Sequence, residues 1–246
     1  MPTSSARARE GFERRAVEFD AFASSYQEHL DQSVRLSGET AGYFAAYKAA
    51  YLVRKLAPRG GKLLDYGCGI GLLAGSLKKR LPEMRIDGFD ISQECVDRIG
   101  AALRRQGTFT ADVRETERSY DVIVLSNVLH HVRPEERVKL IVEIRSRLAE
   151  NGKLVIFEHN PINPLTRWAV SQCEFDRDAV LLSAREAFRT LGEAKLRVLT
   201  HEFIVFFPRS LAWFRPLEPF LQWCPLGAQY AIVAEGDSSG GDSSEG

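Results

Sequence analysis

Short apolar runs alternate with amphipathic stretches through the middle of the chain. Five of the runs are typical of buried strands, at residues 62–66, 85–90, 108–112, 120–127 and 153–159. A helix at about 134–150 is predicted by an apolar stripe, by Pro134 in its first turn and by Gly152 after its end. Strands that alternate with helices form a parallel sheet covered on both faces. Only eight residues separate Asp112 from Asp121, so that connection is too short for a usual helical crossover.

The pattern changes towards both ends of the chain. Aromatic residues at helical spacing predict two N-terminal helices, at about 12–30 and 39–57. After the parallel strands, we predict a helix near 183–192 and a late pair of strands near 197–207 and 228–234.

These patterns also suggest how the chain is organised. Residues 1–11 and 236–246 are too polar to pack, and we expect both segments to be disordered. We expect residues 12–58 to form a helical cap and residues 59–235 to form the main domain. Within the main domain, residues 160–226 are expected to contribute elements that cover the substrate.

The first predicted strand runs directly into a glycine-rich turn. Asp65 follows two leucines, and Gly67, Gly69 and Gly71 alternate with other residues before a helical pattern begins. Glycine permits a tight turn and leaves backbone N–H groups open to a ligand. A dinucleotide-binding turn needs a third glycine at position 72, where this chain has Leu72. The turn therefore predicts a nucleotide-like ligand and disfavours a nicotinamide dinucleotide.

This G-x-G-x-G turn behind an acid resembles motif I of the class I methyltransferases that use S-adenosylmethionine (SAM), in particular small-molecule enzymes of type 11/12. The resemblance covers roughly residues 60–235. It implies an α/β fold: a Rossmann-like, seven-stranded, mostly parallel sheet with helices on both faces and an antiparallel last strand. Asp65 would face the cationic methionine end of SAM, where a pyrophosphate would be repelled. The loop residues expected to contact SAM are Gly67, Cys68, Gly69 and Gly71.

Polar residues end the other strands, at the edge where open α/β sheets bind ligands. Asp90 lies 19 residues beyond the last glycine and is expected to accept the ribose hydroxyls of SAM, although it also suits a turn. The resemblance places Asp112 at the adenine amino group and the Val113 N–H at a ring nitrogen, while an ordinary loop aspartate is the alternative. Ile91 and Val113 are candidates to pack on the adenine, and Asn127 is a further SAM contact.

Histidines follow the fourth and fifth strands. His131 is the first candidate for a general base, because an imidazole accepts a proton near neutral pH. His159 is the rival base, with Glu158 beside it to orient the ring. His130 and Asn160 are candidate substrate contacts. The alternatives are that the adjacent histidines only begin a helix and that Asn160 only makes a turn.

Residues 203–226 are unusually rich in large aromatic side chains. This segment is interpreted as a cover for the substrate, together with Tyr26, Tyr43 and Tyr47. Plain core packing and a surface for a peripheral membrane or protein partner remain open alternatives.

Composition narrows the classes of function. The 33 basic and 33 acidic residues balance, so no overall field favours nucleic acid. Four cysteines without C-x-x-C spacing indicate a reduced protein with no metal site, and no apolar run is long enough to span a membrane. We therefore expect a cytoplasmic monomer or homodimer that is not an integral membrane protein.

The sequence predicts a SAM-dependent methyltransferase acting on a small, partly apolar metabolite, preferably at a hydroxyl oxygen. Methylation of nitrogen or carbon, an RNA methyltransferase, a SAM-binding protein without methyl transfer and a nicotinamide-dependent oxidoreductase are the alternatives.

Overall fold

The computed structural model describes residues 34–58, 60–173, 176 and 179–236. The predicted helix at 12–30, which contains Tyr26, lies outside the described residues, as do the predicted disordered segment 1–11 and most of the predicted tail. Gly236, which was predicted to begin that tail, is the last residue of a strand.

Seven strands form one sheet: β1 (Lys62–Tyr66), β2 (Arg85–Phe89), β3 (Phe109–Thr110), β4 (Tyr120–Ser126), β5 (Leu148–His159), β6 (Leu196–Ile204) and β7 (Gln229–Gly236). Their order is β3-β2-β1-β4-β5-β7-β6. Strands β1 to β5 are parallel, and β7 is antiparallel to both of its neighbours. The predicted seven-stranded, mostly parallel sheet is confirmed.

Eight α-helices accompany the sheet in the described residues: α1 (Ala41–Leu56), α2 (Leu72–Arg80), α3 (Gln93–Asp97), α4 (Ala101–Arg104), α5 (Pro134–Arg145), α6 (Pro164–Ser171), α7 (Ala184–Glu193) and α8 (Glu218–Leu221). Four 3-10 turns lie at Arg35–Ser37, Val113–Glu115, Leu129–His131 and Arg209–Leu217.

Several element boundaries differ from the prediction, and the largest differences flank β4. Helix α5 ends at Arg145 rather than near 150, because Leu148 already pairs with Tyr120 at the start of β5, with a register shift before the main ladder. Strand β3 is only two residues long, and a single 3-10 turn then leads towards β4. The short connection between Asp112 and Asp121 therefore has no crossover helix.

Both faces of the sheet are buried, which explains why its strands are continuous apolar runs. Successive side chains of a strand point to opposite faces, so Leu63 and Leu64 join different core clusters. Leu63 packs in the cluster that contains Leu77 of α2, and Leu64 in the cluster that contains Ile141 of α5. Helices on both faces leave the carboxyl ends of the parallel strands as the open edge.

Candidate active site

A cavity of about 440 Å³ lies at the carboxyl ends of β1, β2, β4 and β5. Its wall combines the glycine loop, the ends of these strands, one side of α1 and the first turns of α5. A volume of this size suits a small organic ligand. The structure therefore has a cavity at the sheet edge where the sequence predicted a ligand-binding site.

The glycine loop after β1 has a conformation that only glycine adopts without strain at its two critical positions. Gly67 has a φ of 83° and Gly71 a φ of 80°. A Cβ atom on Gly67 would lie 2.5 Å from Val128 Cγ2. The N–H groups of Gly67 and Cys68 both donate to Phe89 O, at 2.7 and 2.9 Å, so the loop is held against the end of β2. Gly67 and Cys68 line the cavity, whereas Gly69 and Gly71 shape the loop behind it.

Asp65 ends β1 as a buried acid in the cavity wall. Its side chain is 1% exposed; neither carboxylate oxygen accepts a hydrogen bond of normal geometry, and the nearby Ala74 N–H makes only a weak contact with it. Burial and the neighbouring Asp90 raise the pKa of Asp65 to about 7, although Lys48 opposes the shift. A buried carboxylate without a hydrogen bond of normal geometry is unfavourable in the empty protein. A ligand with a cationic amine would provide that bond, so Asp65 fits the amine end of SAM.

Asp90 is fixed by the backbone on both oxygens. Oδ2 accepts the Gly69 N–H at 2.6 Å, and Oδ1 accepts the Ser92 N–H at 3.0 Å. Asp90 and the next residue, Ile91, both line the cavity. Each carboxylate oxygen has more than one lone pair, so Asp90 can still accept ribose hydroxyls while it holds the loop.

Two of the predicted adenine contacts, Asp112 and Val113, lie away from this cavity, whereas the third, Ile91, lines it. The carboxylate of Asp112 forms a bidentate pair with Arg114, in which Nη2 lies 2.6 Å from Oδ2, and it also caps the following 3-10 turn. Neither Asp112 nor Val113 belongs to the cavity wall. Their contact with adenine stays a prediction that would require the Arg114 side chain to move.

Asn127, directly after β4, lines the cavity. Its backbone has a φ of 59°, and its N–H donates to Phe157 O at 2.8 Å. The side-chain oxygen Oδ1 is buried without a hydrogen-bond partner. A left-handed conformation and an unsatisfied amide oxygen fit the predicted ligand contact.

Lys48 is a cavity residue that the sequence analysis missed. It belongs to the buried side of α1, whose other members include Ala41, Ala45, Ala49 and Leu52. Its Nζ donates to Ser126 Oγ at 2.9 Å, and burial lowers its pKa to about 8, although Glu158 and Asp65 oppose that shift. A lysine within an apolar helical stripe is the signal that could have revealed it.

His130 lies between two carboxylates. Its Nδ1 is 2.6 Å from Glu158 Oε2, and its Nε2 is 3.3 Å from Asp176 Oδ1. Burial disfavours the charged ring, but the two acids outweigh burial and raise the pKa of His130 to about 9. The other Glu158 oxygen accepts the N–H groups of Val128 and Leu129. His130 is therefore a cation at neutral pH. Glu158 orients the ring of His130, whereas the sequence had predicted that Glu158 would orient His159.

His131 and His159 line the cavity on either side of this ion pair. The ring centroid of His130 lies 4.2 Å from that of His131 and 5.2 Å from that of His159. Burial and the positive charge of His130 lower the pKa of His131 to about 3 and that of His159 to about 4. Both rings are thus neutral at pH 7. Asp176 Oδ1 also lies 3.5 Å from His131 Nε2.

Asp176 was not predicted as a site residue. No motif surrounds it in the sequence, and its contact with the two histidines after β4 arises only from the tertiary structure. The ligand atoms of His130, His131 and Asp176 lie within 4.8 Å of one another, close enough to share a cation, and this is the only such group in the part of the chain described. The protonated ring of His130 already supplies a positive charge between Glu158 and Asp176. We therefore assign no metal to the cluster.

Three predicted substrate contacts, Asn160, Tyr43 and Tyr47, are not among the residues that line the cavity. Asn160 Nδ2 donates to the carbonyls of Pro225 and Gly227 at 2.9 and 2.8 Å. Tyr47 donates its hydroxyl to Glu218 Oε2 at 2.9 Å, and the Tyr43 ring lies under the Arg215 guanidinium. These side chains join the aromatic segment to α1 and to the loop after β5, and their contact with the substrate stays a prediction.

A family described as "Methyltransferase domain" matches residues 41–213. A release factor glutamine methyltransferase of Bacteroides thetaiotaomicron is 40% identical over 83 residues, 30% of this chain and 29% of that protein. A malonyl-[acyl-carrier protein] O-methyltransferase of Halalkalibacterium halodurans is 29% identical over 108 residues, 40% of this chain and 39% of that protein. The matched region thus spans well under half the length of these relatives.

The fold is also found in a solved structure, that of magnesium protoporphyrin IX methyltransferase from Synechocystis with bound S-adenosylhomocysteine. It has a TM-score of 0.61 and 17% identity, and the match covers 89% of this chain and 97% of that one. At this identity the likeness shows the fold alone.

The chain belongs to the methyltransferase-domain family, as its matched region and its sheet order show. It has the Rossmann-like fold, and solved structures of the same fold contain bound S-adenosylhomocysteine or SAM. The relatives' names cover a protein, a carrier-bound acyl group and a porphyrin as acceptors, so family membership does not define the acceptor of this enzyme. Within the described residues, no helix is long and apolar enough to cross a membrane.

Proposed function

We propose that this enzyme methylates a hydroxyl oxygen of a small, partly apolar molecule. The observation that carries the proposal is a single cavity that contains Asp65 and the glycine loop together with two neutral imidazoles, those of His131 and His159. SAM supplies a methyl group bonded to a cationic sulfur. The residues of the chain bind SAM, orient the acceptor, exclude water and accept one proton.

The donor end of the cavity is assigned to residues with unused hydrogen-bonding capacity. Asp65 is assigned to the amine of SAM, since its buried oxygens accept no hydrogen bond of normal geometry in the protein and line the cavity. Asp90 is assigned to the ribose, because two backbone N–H groups already fix its carboxylate in the cavity wall. Asn127 offers its unpaired Oδ1 to the same ligand.

The acceptor end is assigned to the histidines. A neutral imidazole is already in the form that accepts a proton, and Asp176, 3.5 Å from His131 Nε2, would stabilise the imidazolium. We therefore keep His131 as the first choice for the base and His159 as the second.

The low pKa values of both rings make them weak bases. Weak bases suit an acidic hydroxyl, such as a phenol or an enol, better than an aliphatic alcohol. The apolar part of the wall, which includes Phe44, Phe89 and Leu140, suits a hydrophobic body on the acceptor.

The acceptor class is tested by incubating the enzyme with methyl-labelled SAM and a fractionated cell extract. We expect label in the small-molecule fraction, in a product that resists mild alkali as an ether does. Label released as methanol would indicate a carboxyl ester instead. Label in RNA or protein, or SAM binding without any transfer, would contradict the proposal.

The base is tested with the acceptor found in that screen. His131→Ala should lower the transfer rate by about 100-fold or more, with the SAM dissociation constant nearly unchanged. His201→Gln is the matched control, since His201 packs against Phe188 and Phe203 outside the cavity wall. If only His159→Ala loses activity, His159 is the general base instead of His131. Full activity in both alanine variants would exclude either histidine as the base.

A further inference from the structure

The described residues expose thirteen large hydrophobic side chains, and nine of them belong to residues 161–171 and 208–227. We call the exposed apolar side chains of these two segments the tryptophan face; its members include Trp168, Trp213, Trp223, Leu165, Phe220 and Leu226. All three tryptophans of the chain lie here, with exposed fractions of 51%, 72% and 78%. Large apolar side chains concentrated in this way mark an interaction surface rather than ordinary scatter.

Hydrogen bonds join the two segments side by side. Asn163 Nδ2 donates to Leu226 O at 2.6 Å, and Thr166 Oγ1 donates to Ala228 O at 3.0 Å. Asn160 adds its two bonds to the carbonyls of Pro225 and Gly227. The start of α6 and the turn before β7 therefore present their apolar side chains next to each other.

The charges of the two segments are all positive where they reach the surface. The segments contain Arg167, Arg209, Arg215 and Glu218. Glu218 is buried and accepts the Tyr47 hydroxyl, and Arg215 pairs with Glu39. Arg167 and Arg209 are exposed. An apolar face with exposed cations and no exposed acid, on a chain with zero net charge, is complementary to an anionic surface.

We propose that the tryptophan face binds the surface of an anionic lipid membrane. Tryptophan and arginine place apolar groups at the hydrocarbon boundary while their polar atoms stay among the headgroups. Surface-bound arginines add electrostatic attraction to anionic lipid. The two segments are followed within two residues by Cys173 and Gln229, which line the cavity, so the chain connects this face to the active site. The proposal does not depend on which acceptor atom is methylated.

The test is sedimentation of the full chain with vesicles of phosphatidylcholine mixed with phosphatidylglycerol, and with vesicles of phosphatidylcholine alone. We expect strong binding to the mixed vesicles that weakens with added salt. Because every tryptophan lies on the face, binding should also shift the fluorescence emission to shorter wavelength and allow quenching by brominated lipid.

Variants assign the binding to the face. Trp213→Ser combined with Trp223→Ser should lower the partition coefficient by about tenfold or more, and Arg167→Glu combined with Arg209→Glu by about tenfold. Val142→Ser combined with Leu199→Ser, which removes exposed apolar groups elsewhere, should leave it unchanged. An unchanged dissociation constant for SAM shows that each variant is folded.

Three results would overturn the proposal. The first is that the wild-type chain binds neither kind of vesicle. The second is that the tryptophan variant binds as well as the wild type, which would place the contact in another segment. The third is a tryptophan variant that converts a dimer into a monomer without affecting vesicle binding, because the face would then join two copies of the chain. None of these results depends on methyl transfer, so failure here is distinct from failure of the proposed function.

Discussion

Replacing Asp65 with asparagine is expected to stabilise the empty protein while it weakens SAM binding. The carboxylate of Asp65 is buried, and Lys48 and the weak contact with the Ala74 N–H do not offset the cost of burial, so in the ligand-free protein it destabilises the fold. Asparagine has nearly the same shape and carries no charge. The same charge is the group assigned to the amine of SAM, and the variant should therefore affect stability and affinity in opposite directions.

The size of the stability effect follows from the pKa. Burial and Asp90 raise the pKa of Asp65 from 3.8 to about 7 in the folded protein. At pH 8 the carboxylate is ionised in both states, and about three pKa units correspond to a cost of about 4 kcal/mol to the fold. As the pH falls below 7 the folded protein takes up the proton, and at pH 5 the cost is about 2 kcal/mol. It disappears below about pH 4, where both states are protonated.

Urea denaturation at pH 8 and pH 5 measures this effect. An unsatisfied amide costs about 1–3 kcal/mol at either pH, so Asp65→Asn should gain about 1–3 kcal/mol at pH 8. The gain should shrink by about 2 kcal/mol at pH 5. The control is Asp97→Asn, which makes the same replacement at an exposed position on α3 outside the cavity wall. At pH 8, SAM affinity should fall by about 100-fold, because a buried charge-assisted hydrogen bond is lost.

Two results would refute this reasoning. Loss of stability at pH 8 would mean that Asp65 has a favourable partner in the free protein. A gain of equal size at pH 8 and pH 5 would mean that the pKa of Asp65 is not raised in the fold.

Three further predictions concern the rest of the site. Glu158→Gln should lower the free energy of unfolding by about 3–5 kcal/mol in urea at pH 7, because it leaves the buried His130 cation with only one acid. The control Glu150→Gln, at an exposed position, should change this free energy by less than about 0.5 kcal/mol, and a loss below about 1 kcal/mol for Glu158→Gln would contradict the ion pair. Gly67→Ala should weaken SAM binding by about tenfold or more in calorimetry, because the added Cβ would collide with Val128. The control Gly192→Ala, in α7, adds a Cβ where no other atom lies nearby and should bind SAM normally. Equal affinity of the two variants would contradict the loop geometry. The SAM dissociation constant should rise as the pH falls below about 7, because Asp65 becomes protonated. The transfer rate at saturating SAM should stay constant down to about pH 5, because His131 and His159 are neutral throughout this range. A transfer rate that falls with a pKa near 6.5 would contradict the lowered histidine pKa values.

Much of the site was predictable because it depends on local order along the chain. Buried parallel strands leave apolar runs that end at the ligand edge, so Asp65, Asp90, Asn127, His131 and His159 were each identified from the strand that precedes them. All five line the cavity. Their roles towards SAM and the acceptor remain predictions.

The rest depends on tertiary contacts that the sequence pattern does not encode. Helix α1 has buried side chains on two sides: Lys48 faces the cavity, whereas Tyr43 and Tyr47 contact the aromatic segment. Helical spacing predicts that such residues are buried, but not what they are buried against. Asp176 belongs to a loop after α6 and meets His130 only through the fold. The sequence pattern left open whether residues 203–226 cover the substrate, pack in the core or form an exposed surface, because aromatic content alone does not say which side of a segment faces solvent.

The most direct measurement of what the cavity binds is calorimetric titration with SAM at pH 7 in two buffers of different ionisation enthalpy. With a pKa of about 7, Asp65 is about half protonated before binding. SAM should bind to the wild-type protein and release about half a proton, and Asp65→Asn should bind more weakly and release none. Binding of equal strength to both proteins, with no proton released by either, would contradict the assignment of Asp65 as the partner of the SAM amine.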